Sequence, residues 1–496
     1  MNKPQTDHYV SVLGAGFAGI SAATVLADQG CHVGVYEKNE SAGGRSRKFT
    51  AQGFTFDMGP SWYWMPDVIE KFFSRFGRST SDYFESMQLD PGFRIYFGPS
   101  NHLDIPASLE GIYDLFESEE KGAADKLKKL MHESKEKYDV GVNDLVYRPS
   151  YSIMEFISIK LAAKMIRLKA LKSFEAYVSG YFKSPRLLSL LEFPILFLGG
   201  TGKTTPSLYS LMNYACFALG TWYPHGGFNK IIEGMKALAE EKGVKFHFND
   251  TVSSLNIDRN RISHIIGNKS VKVDGVIAGM DYHHFEQQIL DEHLRTYTES
   301  YWDKRTLSPS SLIFYLGLNC EVEDLIHHNL FFDEDFKQHA REIYEEPTWP
   351  EKPLFYICAP SKSDPTVAPK GCENLFILMP LAPGIEDSEE QREKYFKLIT
   401  GRIKDVIGVD IIPSIVYKKS YCIKDFEKDY NSYKGNAYGL ANTLMQTAFL
   451  KPSMKSKKIK NLFYAGQLTV PGPGVPPSVI SGQVAAGEML KYLGQR

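Results

Sequence analysis

The alternation of apolar and polar residues is most regular at the start of the chain. The short apolar run Val10–Leu13, which ends at a glycine, predicts a buried strand. Apolar residues from Ile20 to Leu26 then recur with the period of a helix, and Val33–Tyr36 predicts a second strand. A strand, a helix and a strand in this order predict the parallel sheet of an α/β protein.

Similar patterns predict further elements along the rest of the chain. Aromatic and β-branched residues favour strands because they fit a pleated surface. The predicted strands are Phe93–Phe97, Val244–Phe248, Val271–Ala278, Ser311–Leu316, Leu375–Met379 and Asn461–Gly466. The predicted helices are 119–140, Phe228–Lys242 and Val479–Leu493.

One segment mixes apolar and basic residues. Between Ile153 and Lys172 the apolar residues are interspersed with five basic ones, and Glu155 is the only acidic residue. A basic amphipathic helix can lie in a membrane interface, with its apolar face in lipid and its lysines near anionic head groups. The same pattern also fits a surface helix packed on its own core, so both interpretations stay open.

Composition and charge argue against several classes of protein. The chain has 496 residues, which is enough for two or three domains, and its formal net charge of −2 does not indicate a nucleic-acid-binding protein. The six cysteines include no C-x-x-C pair, so we expect no disulfide framework, no metal site and a cytoplasmic location. No apolar run reaches the roughly 18 residues of a spanning helix, and no signal peptide is expected.

The turn after the first strand carries a dinucleotide-binding pattern. Gly14, Gly16 and Gly19 fit G-x-G-x-x-G. The first glycine permits a tight turn, the second lets a diphosphate approach the backbone, and the third lets the helix pack on the strand. The helix N-terminus favours phosphate. Glu37 follows about 20 residues later, where a carboxylate can bind an unphosphorylated ribose, so NADP is disfavoured.

Several further stretches resemble those of known flavoproteins. They are Ser41–Arg45, Phe54–Pro60, Trp222–Gly227 and Pro471–Ser478. The first two, together with the glycine turn, resemble the two-dinucleotide-fold flavoproteins, which include amine oxidases and carotenoid desaturases. The last two resemble the phytoene-desaturase-like carotenoid desaturases in particular. The resemblance covers essentially the whole chain and implies FAD as the cofactor.

The glycine pattern and the resemblance together indicate the cofactor-binding residues. The resemblance implies that Gly43–Arg45 lie along the diphosphate, that Gly59 and Pro60 lie near the flavin ring, and that the backbone of Val252 holds the adenine. A rigid loop of glycine and proline then places the start of the last helix beside the ring. The complete predicted set is Gly14, Ala15, Gly16, Phe17, Ala18, Gly19, Glu37, Lys38, Gly43, Gly44, Arg45, Gly59, Pro60, Val252, Gly466, Gly474, Val475, Pro476 and Val479.

The catalytic residues are not identified by the sequence. Family members often carry an acid near an arginine after a Tyr-Phe pair, which is Tyr181-Phe182 in this chain. Arg186 matches the arginine and is the candidate catalytic residue, but Lys183 and Ser184 stand where the acid is expected. Met280 is a milder departure, because Ala278-Gly279-Met280-Asp281 replaces the family's Ala-Asn-Ala-Asp.

The resemblance implies an α/β fold whose FAD-binding, Rossmann-like domain is assembled from discontinuous segments. We predict that this domain comprises residues 1–75, 221–285 and 455–496. A substrate-binding domain of mixed sheet is expected over 76–140 and 286–454. A helical part, which is the candidate for membrane contact, is expected over 141–220.

The implied function is FAD-dependent removal of hydrogen from an acyclic or partly cyclised carotenoid, of the phytoene or hydroxycarotenoid type. The expected partners are the carotenoid, a membrane surface that the enzyme contacts peripherally, and an electron acceptor, either oxygen or a quinone. Two alternatives stay open: a flavin amine oxidase, which shares the start of the chain, and a non-catalytic prenyl-binding relative, which shares the nucleotide-binding fold without flavin chemistry. Amine oxidases lack the Trp222–Gly227 and Pro471–Ser478 stretches, and the intact Gly43–Arg45 argues against the non-catalytic relative.

Overall fold

A parallel sheet gathers strands from the start, middle and end of the chain. The structure is a computed structural model that describes residues 7–156, 167–170, 172–196 and 199–494. The five neighbouring strands pair in parallel throughout. Across this five-stranded sheet the order is Leu462–Tyr464, Gly275–Ala278, Tyr9–Leu13, His32–Tyr36 and Lys245–His247.

Two helices pack closely on this sheet. The first helix, Phe17–Asp28, lies against the C-terminal helix, Val475–Gly494. A Cβ atom at Gly482 would lie 2.1 Å from the carbonyl oxygen of Ala18, so the absence of a side chain permits this contact. The helix Asn229–Glu241 packs on the first helix as well. The apolar strands are therefore buried, as is usual for a parallel sheet covered by helices.

A second, seven-stranded sheet is mainly antiparallel. Only the pair Phe93–Gly98 and His328–Phe331 is parallel within it. Residues on one face of Glu373–Leu381, such as Ile377, pack against the helix Glu389–Ile407, and residues on the other face join the main core. Across the sheet the order is Ile415–Tyr421, Ser310–Leu318, Glu373–Leu381, Phe355–Cys358, His328–Phe331, Phe93–Gly98 and Asn101–Ile105.

The remaining strands form small sheets, and further helices surround the two large ones. The small sheets are Ser254–Asp258 with Arg261–Ile266 and Ser270–Lys272, Lys48–Ala51 with Phe54–Asp57, and Ser86–Gln88 with Trp222–Pro224. The other α-helices are Pro66–Ser74, Leu109–Glu119, Ala123–Asn143, Phe174–Val178, Pro185–Leu196, Leu211–Phe217, Tyr282–His284, Glu299–Asp303, Phe336–Tyr344 and Ile423–Tyr430. The α/β class predicted from the sequence is confirmed, whereas the division into domains stays a prediction.

One predicted strand is wrong. The range Val271–Ala278 is divided into Ser270–Lys272 and Gly275–Ala278, which belong to different sheets. Asp274 redirects the chain between them, because its backbone N–H donates to the carbonyl oxygen of Tyr9 at 2.7 Å and its carboxylate accepts from the backbone N–H of Tyr9 at 3.1 Å. The apolar pattern continues across the turn, so it does not reveal the break.

Two predicted helices differ from the structure at their ends. The helix predicted over 119–140 is Ala123–Asn143, and a separate helix, Leu109–Glu119, precedes it. The last helix begins at Val475, about one turn before the predicted start at Val479. Prolines at 476 and 477 are tolerated there because the N–H groups of a first helical turn have no partner within the helix.

Most of the basic amphipathic segment lies outside the described residues. In the described part, Ile153–Phe156 form a 3₁₀ turn, Arg167 makes an ion pair with Glu136, and Leu168 is buried. The helix expected across Ile153–Lys172 is therefore wrong at the described ends, since Lys169 also has a φ of 52°, and it stays a prediction for the residues outside the described ranges. Within the ranges that the structure describes, no helix has the length and apolar character needed to cross a membrane.

Candidate functional site

A cavity of about 430 Å³ is bounded by both large sheets. One end is formed by the turns at the carboxyl ends of the parallel strands, which is where open α/β sheets bind ligands. The other end is formed by side chains of the seven-stranded sheet and by neighbouring helices. We call these the nucleotide end and the apolar end of the cavity.

All but three of the predicted cofactor residues line the cavity. The exceptions are Ala15, Gly19 and Val479, which lie behind the lining. Val479 belongs to the contact between the first and last helices, where its carbonyl oxygen accepts a hydrogen bond from the Ser21 hydroxyl at 2.7 Å. The predicted residues in the lining are Gly14, Gly16, Phe17, Ala18, Glu37, Lys38, Gly43, Gly44, Arg45, Gly59, Pro60, Val252, Gly466, Gly474, Val475 and Pro476.

The three glycines of the first turn have different surroundings. Gly14 has a φ of 100°, and a Cβ atom there would lie 3.1 Å from the carbonyl oxygen of Gly279. A Cβ atom at Gly19 would lie 1.9 Å from the carbonyl oxygen of Gly14, so the fold itself requires this glycine. At Gly16 a Cβ atom would meet no atom within 4 Å. The space beside Gly16 is therefore open cavity at the N-terminus of the first helix, where N–H groups favour an anion.

Glu37 is held in one orientation at the end of its strand. It is 6% exposed. One carboxylate oxygen accepts a hydrogen bond from the backbone N–H of Ala15 at 2.9 Å, and the other accepts from the backbone and side-chain N–H groups of Asn39 at 2.9 and 2.8 Å. The carboxylate thus joins the glycine turn to the next strand and lies in the cavity wall.

Arg45 places a poorly compensated positive charge in the nucleotide end. Its guanidinium donates to the Ser432 hydroxyl at 2.9 Å and the Asn436 carbonyl oxygen at 3.3 Å, while Nε is buried without a hydrogen-bond partner. Burial lowers the pKa of Arg45, and the nearby Asp281 carboxylate offsets this only in part. An anion in the cavity would supply the missing compensation. Together with the open space at Gly16, this fits the diphosphate of FAD.

The apolar end is lined by side chains that lie far apart in the sequence. They come from several separate segments of the chain, so no single local pattern identifies them in advance. Polar side chains also reach this part of the wall, among them Ser61, His339 and Tyr356. The apolar side chains include Trp62, Trp64, Phe193, Met212, Leu330, Phe332, Phe336, Ile343, Leu354 and Leu378.

Arg186, the candidate catalytic residue, is not brought to the cavity. Its guanidinium pairs with the Glu119 carboxylate at 3.0 Å, donates to the His102 carbonyl oxygen at 3.3 Å and lies over the ring of Phe97. None of these three contact residues lines the cavity. The geometry therefore adds no support to a catalytic role.

Asp57 connects two of the stretches that were recognised separately in the sequence. Its carboxylate accepts hydrogen bonds from the backbone N–H groups of Phe228 at 2.6 Å and Asn229 at 2.9 Å. It therefore caps the helix Asn229–Glu241 from a distant part of the chain. Burial raises the pKa of Asp57 to about 6, although both hydrogen bonds favour the charged form. The sequence alone did not identify this capping role.

Comparisons with known proteins identify the family. The chain matches the family described as flavin containing amine oxidoreductase over residues 17–490. The chain belongs to this family. It is 37% identical to a carotenoid 3,4-desaturase of Haloarcula japonica over 97% of this chain and 98% of that protein. It is also 29% identical to a zeta-carotene-forming phytoene desaturase of Myxococcus xanthus, over 97% and 94% of the two chains.

Solved structures agree on the fold. Cyclohexylamine oxidase from Brevibacterium oxydans has a TM-score of 0.60 at 15% identity and covers 99% of this chain and 100% of its own. Putrescine oxidase bound to putrescine has a TM-score of 0.62 at 11% identity, covering 98% and 100% of the two chains. The predictions of FAD as cofactor, of an oxidoreductase and of a resemblance to carotenoid desaturases are confirmed.

Proposed function

We propose that this protein is an FAD-dependent carotenoid desaturase, acting on an acyclic or partly cyclised carotenoid. The observation that carries the proposal is the continuity of the cavity, which joins a dinucleotide-binding turn to a wall rich in apolar side chains. The desaturase relatives support the same substrate class. The amine oxidases of similar fold are less than 25% identical, so they support the fold alone.

The residues of the nucleotide end fit FAD. Gly16 and the N-terminus of the first helix would receive the diphosphate, with Arg45 supplying positive charge. Glu37 would bind the adenosine ribose and Val252 would face the adenine. Gly59, Pro60 and the start of the last helix, from Gly474 to Pro476, would border the flavin ring. Bound FAD supplies hydride acceptance, which is the oxidising half of a desaturation.

The residues of the apolar end would bind, align and dehydrate the substrate. A long hydrocarbon gains free energy from burial, at roughly 0.8 kcal/mol for each CH₂ group. Phe193, Leu330 and Leu378 offer no hydrogen bonds, so they hold a chain by shape and exclude water. This wall therefore suits a polyene better than a small amine.

The direct test is product identification. Purified protein reconstituted with FAD is supplied with phytoene, an acyclic hydroxycarotenoid and a monocyclic carotenoid in lipid, under air and, separately, anaerobically with a quinone. We expect at least one substrate to lose two hydrogens, seen as a longer absorption wavelength and a mass lower by two hydrogen atoms. Flavin reduction by an amine, with no carotenoid converted, would contradict the proposal.

We also propose that the enzyme collects its substrate at a membrane surface. Ile153 and Met154 are 51% and 69% exposed, and Met445 is 74% exposed. The two segments that carry these side chains meet where the rings of Phe156 and Phe449 lie 6.3 Å apart. Exposed apolar side chains beside a basic segment are typical of a surface that enters a bilayer interface.

The lining of the cavity reaches towards this surface. The Tyr209 hydroxyl lies 3.4 Å from the Thr447 hydroxyl, so the chain around Met445 touches the segment that leads to the helix Leu211–Phe217. Met212, in that helix, lines the cavity. A substrate entrance on this side would let a carotenoid pass from the membrane surface to the apolar end of the cavity.

Liposome sedimentation tests the membrane proposal. One variant changes Met154 and Met445 to Glu, and a second changes the basic residues Lys160, Lys164, Arg167, Lys169 and Lys172 to Glu. We expect both to bind anionic liposomes more weakly. The first loses exposed apolar side chains, and the second loses basic residues, each of which contributes on the order of 1 kcal/mol near such a surface. Val416→Glu is the control, since Val416 is 45% exposed on an edge strand. Equal binding by all the variants would contradict the proposal.

A further inference from the structure

The wall of the apolar end contains a paired tyrosine and histidine. Tyr356 lies in the strand Phe355–Cys358 and is 7% exposed. Its partner strand begins at His328, and Leu330 lies directly opposite Tyr356. His328 is two residues from Leu330, so the side chains of His328 and Tyr356 share one face of the sheet.

The contact between the two side chains is short. The Tyr356 hydroxyl oxygen lies 2.6 Å from His328 Nδ1 and 3.0 Å from the Ser61 hydroxyl oxygen. Ser61 follows Gly59 and Pro60, and both Ser61 and Tyr356 line the cavity. The tyrosine hydroxyl therefore joins the cavity wall near the expected flavin position to a histidine that lies behind the wall.

His328 has a described hydrogen bond at one ring nitrogen only, Nδ1. It is fully buried, its ring stacks on Trp62 at 4.1 Å, and its Nε2 has no hydrogen-bond partner. Its titratable neighbours are Tyr356, Cys358 and His327, and His327 is in turn influenced by the Asp364 carboxylate. Burial, reinforced by His327, holds the pKa of His328 well below its ordinary value, so the imidazole is neutral at physiological pH.

We propose that Tyr356 and His328 accept the proton that leaves the carotenoid during desaturation. This inference rests on the proposed function. Desaturation breaks two C–H bonds, and bound FAD would supply an acceptor for only one of the two hydrogens, as a hydride. The second hydrogen must leave as a proton inside a cavity whose wall is largely apolar.

The step balances with these two residues. With His328 Nδ1 as the acceptor of the Tyr356 hydroxyl, the tyrosine oxygen takes the substrate proton while its own proton passes to Nδ1. The electron pair of the broken C–H bond forms the new double bond. With bound FAD as the hydride acceptor, the step would leave the desaturated carotenoid, a neutral Tyr356 and a positively charged His328.

His339, the histidine that lines the described cavity itself, cannot take this role. His339 Nδ1 accepts a hydrogen bond from the backbone N–H of Leu354 at 3.0 Å, and its Nε2 lies 3.0 Å from the carbonyl oxygen of Pro380. Both ring nitrogens are therefore occupied by backbone groups, which fixes a neutral ring with no lone pair to spare. Only the pair at Tyr356 combines, among the described wall residues, a hydroxyl in the lining with a basic partner.

The kinetic test uses Tyr356→Phe and His328→Asn. We expect anaerobic flavin reduction by the carotenoid to slow by about 100-fold or more in both, the usual contribution of a positioned base, with little change in substrate affinity. Tyr315→Phe is the matched control, because its buried hydroxyl donates to the Met58 carbonyl oxygen at 2.8 Å in the same sheet and Tyr315 does not line the cavity. Wild-type flavin reduction should not fall between about pH 8 and pH 6, where an ordinary histidine base becomes protonated.

A second readout needs no turnover. Flavin-free protein labelled with ¹³C at histidine Cε1 is titrated by NMR, with His328→Asn assigning the resonance. We expect the resonance to report a neutral His328 even below pH 6.5, which is about the ordinary pKa of histidine. The resonance should shift in Tyr356→Phe but not in Tyr315→Phe. A signal that titrates normally, or that ignores Tyr356→Phe, would overturn the pairing.

The outcomes separate the two proposals. A wild type that converts no carotenoid contradicts the proposed function and, with it, the proton transfer. An active wild type with equally active Tyr356→Phe and His328→Asn contradicts the proton transfer alone. Metal content must also be measured, because ligand atoms of His327, His328 and Cys358 lie within 4.8 Å of one another. A stoichiometric metal ion bound by His328 would likewise overturn the proposal.

Discussion

The two ends of the cavity differ in whether backbone or side-chain atoms form most of the wall. The nucleotide end is largely backbone, made of glycines and helix N-termini, with charged side chains that include Glu37 and Arg45. The apolar end is made of side chains contributed by at least four strands and several helices. Recognition of a ligand by backbone geometry requires particular residues at fixed spacing, so a short sequence motif reveals it. Recognition by the shape of a wall of side chains requires no such motif.

The contrast extends to what each position tolerates. At the nucleotide end a single atom matters, because a Cβ atom at Gly16 would meet no protein atom within 4 Å and would extend into the space assigned to the diphosphate. At the apolar end one hydrophobic side chain can replace another if the volume is similar. This predicts that the first end specifies the cofactor strictly and that the second end adjusts to different substrates.

The largest expected effect comes from Gly16→Val. A branched side chain would occupy the space assigned to the diphosphate, so we expect flavin content after FAD reconstitution to fall from stoichiometric to undetectable. The measurement is the flavin absorption of the purified protein. The control is Gly401→Val, because a Cβ atom at this exposed helical glycine also meets no atom within 4 Å. A Gly16→Val protein that keeps its flavin would show that the diphosphate lies elsewhere.

The sequence predicted most of the nucleotide end and the fold class, and for physical reasons it missed the rest. Gly14, Glu37 and Val475 follow from motifs that are continuous in the chain, and all three line the cavity. The sequence predicts a single strand over 271–278 because the apolar pattern continues on both sides of Asp274, where the chain turns.

Long-range contacts were beyond the sequence patterns. The capping of the helix Asn229–Glu241 by Asp57 and the approach of Tyr356 to His328 depend on how separate segments meet. His328 and Tyr356 meet because the strands His328–Phe331 and Phe355–Cys358 pair in the seven-stranded sheet, whereas Asp57 lies in the two-stranded sheet of Lys48–Ala51 and Phe54–Asp57. No periodicity within one segment contains that information.

An intermediate effect is expected for Arg45→Met, which should weaken FAD binding without destabilising the flavin-free protein. FAD affinity should weaken by about 10- to 100-fold, since a hydrogen bond to a charged group contributes roughly 1.5–3 kcal/mol. The thermal midpoint of the flavin-free protein should stay the same or rise, because the substitution removes a buried charge whose burial cost Asp281 offsets only in part.

Arg47→Met is the matched control for this prediction. Arg45 and Arg47 both lie over the Tyr430 ring, but the guanidinium of Arg47 pairs with the Asp429 carboxylate at 2.9 Å. Removing it leaves that carboxylate without its partner, so we expect the flavin-free protein to lose stability. If Arg45→Met lowers the thermal midpoint in the same way, Arg45 serves the fold rather than an anion.

The smallest effect is expected at the apolar end, for Leu378→Phe. Leu378 lines the cavity, and overpacking costs about 1–3 kcal/mol, so we expect carotenoid turnover to fall roughly tenfold while FAD affinity is unchanged. Leu378→Ala enlarges the same wall and should lose less activity with bulkier, ring-bearing substrates. The control is Ile377→Val on the opposite face of the strand, which should cost about 1 kcal/mol of stability without altering the preference among substrates. An equal loss of FAD affinity and turnover in Leu378→Phe would show that the two ends are not independent, because a change in the shape of one would then have altered the other.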